Sequence, residues 1–119
     1  MATLTPTLTL SSAAGDITSA ALAVSVSDAL TISGDVVSLS RVALSTSDLT
    51  LFASSSYSRS YVYLKNTDGS IAMDIDFGST ASFNLKPEEF AFFPWHGSQN
   101  IVVAADSGTP VLEYALWED

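Results

Sequence analysis

Apolar residues recur at every second position along most of this chain, and that period commits it to strands rather than helices. Val62 and Leu64 alternate with Tyr61, Tyr63 and Lys65, and Ile71, Met73, Ile75 and Phe77 alternate with Ala72, Asp74 and Asp76. Leu112, Tyr114 and Leu116 alternate with Val111, Glu113, Ala115 and Trp117. Phe90, Phe92 and Pro94 share one face of their segment, with Ala91, Phe93 and Trp95 on the other. Faces of distinct character suit a sandwich with one buried side; a segment apolar on both faces is central between two layers or buried against another subunit.

Turn signals punctuate these runs. Asn66-Thr67-Asp68-Gly69-Ser70 reads as a hairpin turn with Gly69 free to take positive φ. Gly78-Ser79, Lys86-Pro87-Glu88, Trp95-His96-Gly97-Ser98 and Asp106-Ser107-Gly108-Thr109-Pro110 close later segments. Short runs with regular breaks predict an all-β fold, a single-domain β-sandwich of jelly-roll or immunoglobulin-like type over residues 16–119. Eleven of the twelve aromatic residues lie from Tyr57 onward, so the heavy core is expected there, with lighter strands from the first half around it.

Residues 1–15 differ. Thr3, Thr5, Thr7 and Thr9 alternate with Leu4, Leu8 and Leu10, and Pro6 removes one ladder donor. That pattern predicts an N-terminal arm or edge strand, and an arm docked on a neighbouring subunit suits it. Leu4, Pro6, Leu8 and Leu10, with Phe93 and Trp95, are the expected interface residues. Ala20–Ala23 can support one helical turn, whereas Val24, Val26 and Ile32 favour strands.

Composition narrows the function classes. Thirteen acidic residues against four basic ones give a net charge of −9, and Arg41, Arg59, Lys65 and Lys86 are scattered. No basic patch is available to neutralise phosphates or an anionic bilayer, so neither nucleic acid nor membrane is expected as a partner. With 20 Ser and 11 Thr, the surface is hydroxylated rather than charged. Zero cysteines exclude disulfides, thiolate metal sites and cysteine nucleophiles. The first residues lack the basic start and apolar core of a signal peptide, and no run nears the ~18 apolar residues of a spanning helix. A soluble protein assembled where it is made is expected.

Few residues carry recognisable chemistry. His96 is the only histidine, with no accompanying zinc or nucleophile-elbow motif, and reads as an exposed turn residue. Asp74 and Asp76 share a strand face about 7 Å apart, a spacing open to glycoside hydrolysis or, with Asp68, to calcium. A solvated face opposite the apolar row explains them fully. Tyr57, Tyr61, Tyr63, Phe93 and Trp95 suit either an aromatic platform for sugars or a partner protein, or the core. No catalytic residue, cofactor or metal ligand is assigned.

Three segments carry a family resemblance: Tyr61-Val62-Tyr63-Leu64-Lys65-Asn66, then Phe83-Asn84-Leu85-Lys86-Pro87-Glu88-Glu89-Phe90-Ala91-Phe92-Phe93-Pro94, and Leu112-Glu113-Tyr114-Ala115-Leu116-Trp117. This order resembles small virion structural proteins of tailed bacteriophages, including marine and cyanobacterial phages, from about Tyr61 to Glu118. Glu88 departs from the pattern, standing where the family turn has glycine, and glutamate tolerates positive φ poorly. The resemblance implies a non-enzymatic head decoration (cement) protein on the capsid exterior, assembled in the host bacterial cytoplasm. Its implied partners are the major capsid protein and copies of itself, as a homotrimer. A tail or head fibre knob or adaptor touching a host receptor is the alternative, and a carbohydrate-binding module or small jelly-roll enzyme using Asp74, Asp76 or His96 is a third reading.

Overall fold

A computed structural model of the chain describes residues 2–16, 20–34 and 36–119. Strands and turns account for their regular structure, with no helix among the described residues. Contacts divide the chain into two compact units, residues 1–33 and 34–119.

The first unit is a two-stranded ribbon. Strand β1 (Ala2–Leu4) pairs antiparallel with β4 (Leu30–Ile32), and β2 (Thr7–Ser12) with β3 (Leu22–Ser27). Both ladders share one register, Ala2 opposite Ile32 and Ser12 opposite Leu22, so they are halves of a single long hairpin. The interruption falls where Pro6 has no N–H to give, and the Asp28 amide still donates to the Pro6 carbonyl at 3.3 Å. The predicted arm is therefore one side of a hairpin whose other side is residues 22–32. Leu22–Ser27 is strand, and no helical turn forms at the described residues Ala20–Ala23.

The second unit is the sandwich, and its first strand starts at Val36 rather than near residue 16. It comprises β5 (Val36–Ala43), β6 (Leu49–Phe52), β7 (Ser60–Asn66), β8 (Met73–Phe77), β9 (Thr80–Leu85), β10 (Phe90–Trp95), β11 (Ile101–Ala105) and β12 (Val111–Glu118). One sheet runs β10-β7-β12-β5 and the other β6-β11-β8-β9, antiparallel throughout. Successive strands change sheet at every step except β8 to β9, which are joined within their sheet through Gly78-Ser79. Eight antiparallel strands connected this way form a jelly roll. The immunoglobulin-like alternative, with its different strand distribution, is not formed.

The core follows the predicted alternation. Val62, Leu64, Met73, Ile75, Ile101, Val103, Leu112 and Leu116 point between the sheets and are buried. Phe52, at the end of edge strand β6, packs its ring against Tyr57, Trp95 and Tyr114 at 5.8, 6.4 and 5.9 Å between centroids. A second cluster joins Phe77 and Phe83 to Phe93 across the sandwich at 5.8–5.9 Å. Each such ring pair adds about 0.5–1.5 kcal/mol beyond the area it buries.

The turns show two departures from expectation. Asn66–Ser70 connects β7 to β8 in the other sheet, so it is a corner rather than a hairpin, and Gly69 does not adopt positive φ. The Asp68 carboxylate accepts from the Ser70 and Ile71 amides at 2.8 and 2.7 Å, which closes the corner without a left-handed glycine. The second departure is Glu88, which sits at φ 69°, in the left-handed region that favours glycine. With Pro87 before it and the Glu89 amide donating to the Lys86 carbonyl at 3.0 Å, this is a type II turn. The turn geometry is kept, and Glu88 carries its strain.

Candidate functional site

Strand alternation decides what the sheet β10-β7-β12-β5 shows to solvent. On its outer face, Tyr61 lies opposite Pro94 and Trp117, Tyr63 opposite Phe92 and Ala115, and Lys65 opposite Phe90 and Glu113. Trp117 in turn lies opposite Val36 on the edge strand. The Tyr61 and Phe92 rings are nearly parallel, 6.3 Å apart at 8°, and Phe92 leans on Trp117 at 6.5 Å. Phe90 is 62% exposed and Val36 52% exposed, with Phe92 also exposed beside them. A continuous aromatic and aliphatic band thus crosses four strands on the outside of the molecule, the kind of surface that marks a contact site.

Polar groups frame this band. Glu113 accepts from the Tyr63 hydroxyl at 2.9 Å and from Arg41 Nε at 3.1 Å. The Tyr63 bond, with Arg41 second, holds the Glu113 carboxyl below its usual range, while partial burial and the same bond push the Tyr63 phenol up. At the other end Arg59 donates to Asp119 at 2.7 Å and to the Tyr61 hydroxyl at 3.1 Å, its guanidinium 5.1 Å from the Tyr61 ring centre. These contacts fix the orientation of both tyrosines, so the band is preorganised. The exposed ion pairs themselves add little stability.

The sequence-predicted aromatic platform is divided by the structure. Tyr61 and Tyr63 face outward, whereas Tyr57, Phe93 and Trp95 face the core. Phe93 and Trp95, expected at an interface, are corrected: Trp95 is buried with its indole N–H donating to the Gln99 carbonyl at 3.1 Å, and Phe93 fills the Phe77–Phe83 cluster. The reason is pairing. Phe93 and Trp95 lie opposite the buried Val62 and Ser60 of β7, which leaves the Phe90–Phe92–Pro94 row outside. Sequence reasoning missed Phe90, Phe92, Trp117 and Val36 as surface residues; the shared face of Phe90 and Phe92 was the available signal. Leu4, Pro6, Leu8 and Leu10 all fall on the hairpin of the first unit, at alternate positions of one face.

The acidic and histidine candidates do not converge. Asp68 is committed to its own corner, and the two backbone amides hold its carboxyl below the usual range. Asp74 accepts from the Asn84 amide, and Asp76 lies on the same outward face of β8. His96 is exposed in the loop after β10, where Gly97 (φ 84°) approaches the Ser58 carbonyl so closely that a Cβ would lie 2.7 Å from it. Among the described residues, no three His, Cys, Asp or Glu side chains gather as a metal-holding group. An open groove at the free edge between β9 and β10 is lined by Phe83, Asn84, Leu85, Glu88 and Phe90.

The chain matches no family model, no curated protein and no solved structure. Its functional reading therefore rests on the band, the hairpin and the fold.

Proposed function

We propose that this protein is a bacteriophage virion structural protein, a head decoration (cement) protein that binds the capsid exterior and stabilises it. The observation that carries the reading is the outward band on the jelly roll's four-stranded sheet, in which exposed Phe90, Phe92 and Val36 flank half-buried Tyr61 and Trp117. Aromatic side chains held rigid on a sheet are efficient contact residues, because little side-chain freedom is lost on docking. The jelly roll is shared with viral capsid proteins, and the sequence order from Tyr61 to Glu118 resembles that of phage virion proteins. Fold alone does not assign function, so the band supplies the specific argument. On this reading the role is mechanical: the band buries area against the major capsid protein, joining neighbouring capsid subunits, and no reaction is catalysed.

The test is reattachment of purified protein to particles lacking it. The double variant Phe92→Ser, Trp117→Ser is expected to bind at least about tenfold more weakly, the loss of one contact hot spot. Unchanged reattachment would remove the band from the capsid contact.

A second reading, a head or tail fibre knob, is favoured by the near-parallel Tyr61 and Phe92 rings with Arg59 beside them, an arrangement that also suits a sugar ring. It predicts that Tyr61→Ala abolishes attachment of the phage to its host while leaving the protein on the particle. The decoration reading predicts unchanged host attachment.

A further inference from the structure

The sandwich has four edge strands, and three of them are interrupted. β5 carries Ser38 and Leu39 where β12 has only Ala115, β6 carries Leu51 between the partners of Ile101 and Val102, and β9 carries Ser82 between the partners of Ile75 and Asp76. Bulges of this kind twist an edge and spoil it as a template for another strand. β10 has none within it: Phe90 to Trp95 pair with Lys65 to Ser60 in unbroken register, and no residue of the strand is charged. The bonds just before β10 fix which of its backbone groups are free. The Asn66 amide donates to the Glu89 carbonyl at 3.0 Å, and the Glu88 amide donates to the Asn66 carbonyl at 3.1 Å. This is a G1 bulge following the type II turn, with Glu88 where glycine ordinarily stands. Counting on from Glu89, Ala91, Phe93 and Trp95 exchange bonds with β7, while Phe90 and Phe92 turn their N–H and C=O groups to the free edge. Pro94, which has no N–H to give, falls in the same outward set.

Beside this edge the seam between the two sheets is open. Phe83, Leu85 and Ala91 line the groove there, together with exposed Glu88 and Phe90. The Glu88 carboxylate makes no hydrogen bond or ion pair among the described residues, whereas Glu89 Oε1 accepts from the Lys86 amide at 2.7 Å. We infer that β10 accepts an extended peptide segment of a partner protein as a fifth strand of its sheet. A lysine or arginine of that segment pairs with Glu88, and alternate apolar side chains lie over Phe83, Leu85 and Ala91. Main-chain bonds to Phe90 and Phe92 supply affinity, and the groove supplies selectivity.

Charge selects the occupant. The chain's four basic residues are all committed: Arg41 and Arg59 to Glu113 and Asp119, Lys65 to the central strand β7, and Lys86 to the same turn as Glu88. No edge or loop of a second copy therefore brings a free cation to Glu88, and at a net charge of −9 identical copies repel. The left-handed backbone at Glu88 costs about 1–2 kcal/mol that glycine would avoid. What glutamate adds at that position is a carboxylate on the groove, and bulges characteristically re-aim a side chain beside a functional site. The inference concerns the backbone edge and the groove, and it stands or falls independently of the virion reading.

The experiment screens a positional-scanning library of end-capped heptapeptides against the full chain by fluorescence anisotropy. The expected selection is lysine or arginine at one position with apolar residues at alternate positions beside it. Glu88→Gln keeps the backbone strain and is expected to unfold in urea as the parent does. It is expected to lose the basic preference and to bind the selected peptide about tenfold more weakly. N-methylation of the selected peptide at one alternate set of residues is expected to abolish binding, and at the other set to leave it intact, as strand addition requires. By nuclear magnetic resonance, the Phe90 and Phe92 amides of the free chain should exchange with solvent at least about tenfold faster than those of Ala91 and Phe93, and the peptide should remove the difference. No selected sequence, a basic preference that survives Glu88→Gln, or equal tolerance of both methylated sets each overturns the inference. Protection of the Phe90 and Phe92 amides that rises with the concentration of the free chain would assign the edge to a second copy and overturn it too.

Discussion

Asn66 is the most informative single position in the jelly roll. Its side chain is fully buried at the end of β7, where the sheet gives way to the corner leading to β8. Its Nδ2 donates to the carbonyls of Ile71 and Leu85 at 2.8 and 3.0 Å, and its Oδ1 accepts from the Asp68 amide at 3.0 Å. One side chain therefore holds the corner, the end of β9 and the start of β8 in register. Asn66→Ala removes three such bonds and leaves their backbone partners without a replacement. At about 1 kcal/mol per bond the loss is about 3 kcal/mol. For a domain of this size that lowers the melting temperature by roughly 12–24 °C. Asn66→Asp keeps the acceptor for the Asp68 amide but turns a carboxylate towards two carbonyls, so it is expected to destabilise at least as much at neutral pH and to recover partly on acidification, when the acid can donate. Urea unfolding of the three proteins, with the slope checked for constancy, measures both effects. A loss below about 1 kcal/mol for Asn66→Ala would refute the reasoning that these bonds secure the corner.

Three further outcomes are expected. Glu88→Gly relieves a left-handed glutamate worth about 1–2 kcal/mol but adds glycine's unfolded freedom, about 0.5–1 kcal/mol, for a net gain of about 0.5–1 kcal/mol in urea melts; Glu88→Ala keeps the strain and is expected to gain nothing. The Asp68 and Glu113 carboxyls are held below their ordinary values of 3.8 and 4.5, so they contribute stability that is fully present above those values and is lost as pH falls through their lower folded values. Thermal melts between neutral pH and pH 2 should therefore decline on the acid side, and Asp68→Asn should flatten that decline; an equal decline in the variant would contradict the assignment. Phe52→Ala, which removes the ring shared by Tyr57, Trp95 and Tyr114, should cost about 3–5 kcal/mol by the same urea assay.

Much of this architecture is written in short-range pattern. The inward rows Val62–Leu64, Met73–Ile75 and Leu112–Leu116 follow from period-two alternation, as does the outward placement of Asp74 and Asp76. Glu88 is visible in the sequence as a departure from a glycine-bearing turn, and its backbone shows the consequence. What alternation does not encode is which strand lies beside which. Phe90–Trp95 is apolar on both faces, so only its register against β7, with Phe93 opposite Val62 and Trp95 opposite Ser60, decides that Phe93 and Trp95 go inside while Phe90 and Phe92 stay out. The choice between jelly roll and immunoglobulin-like order is likewise set by non-local pairing. The hairpin of the first unit was hidden for a related reason. Its two sides are joined by residues 13–21 rather than by a short turn motif, so the threonine-rich arm reads as a strand without its partner. The surface band was missed because its members come from β5, β7, β10 and β12, distant in sequence and adjacent only after folding.

The most direct test of the virion reading is the copy number it requires of this protein in purified phage particles, measured by quantitative mass spectrometry against the major capsid protein. A decoration protein on the capsid exterior predicts abundance close to that of the capsid subunit. Absence from the particle, or only a few copies per particle, would contradict it.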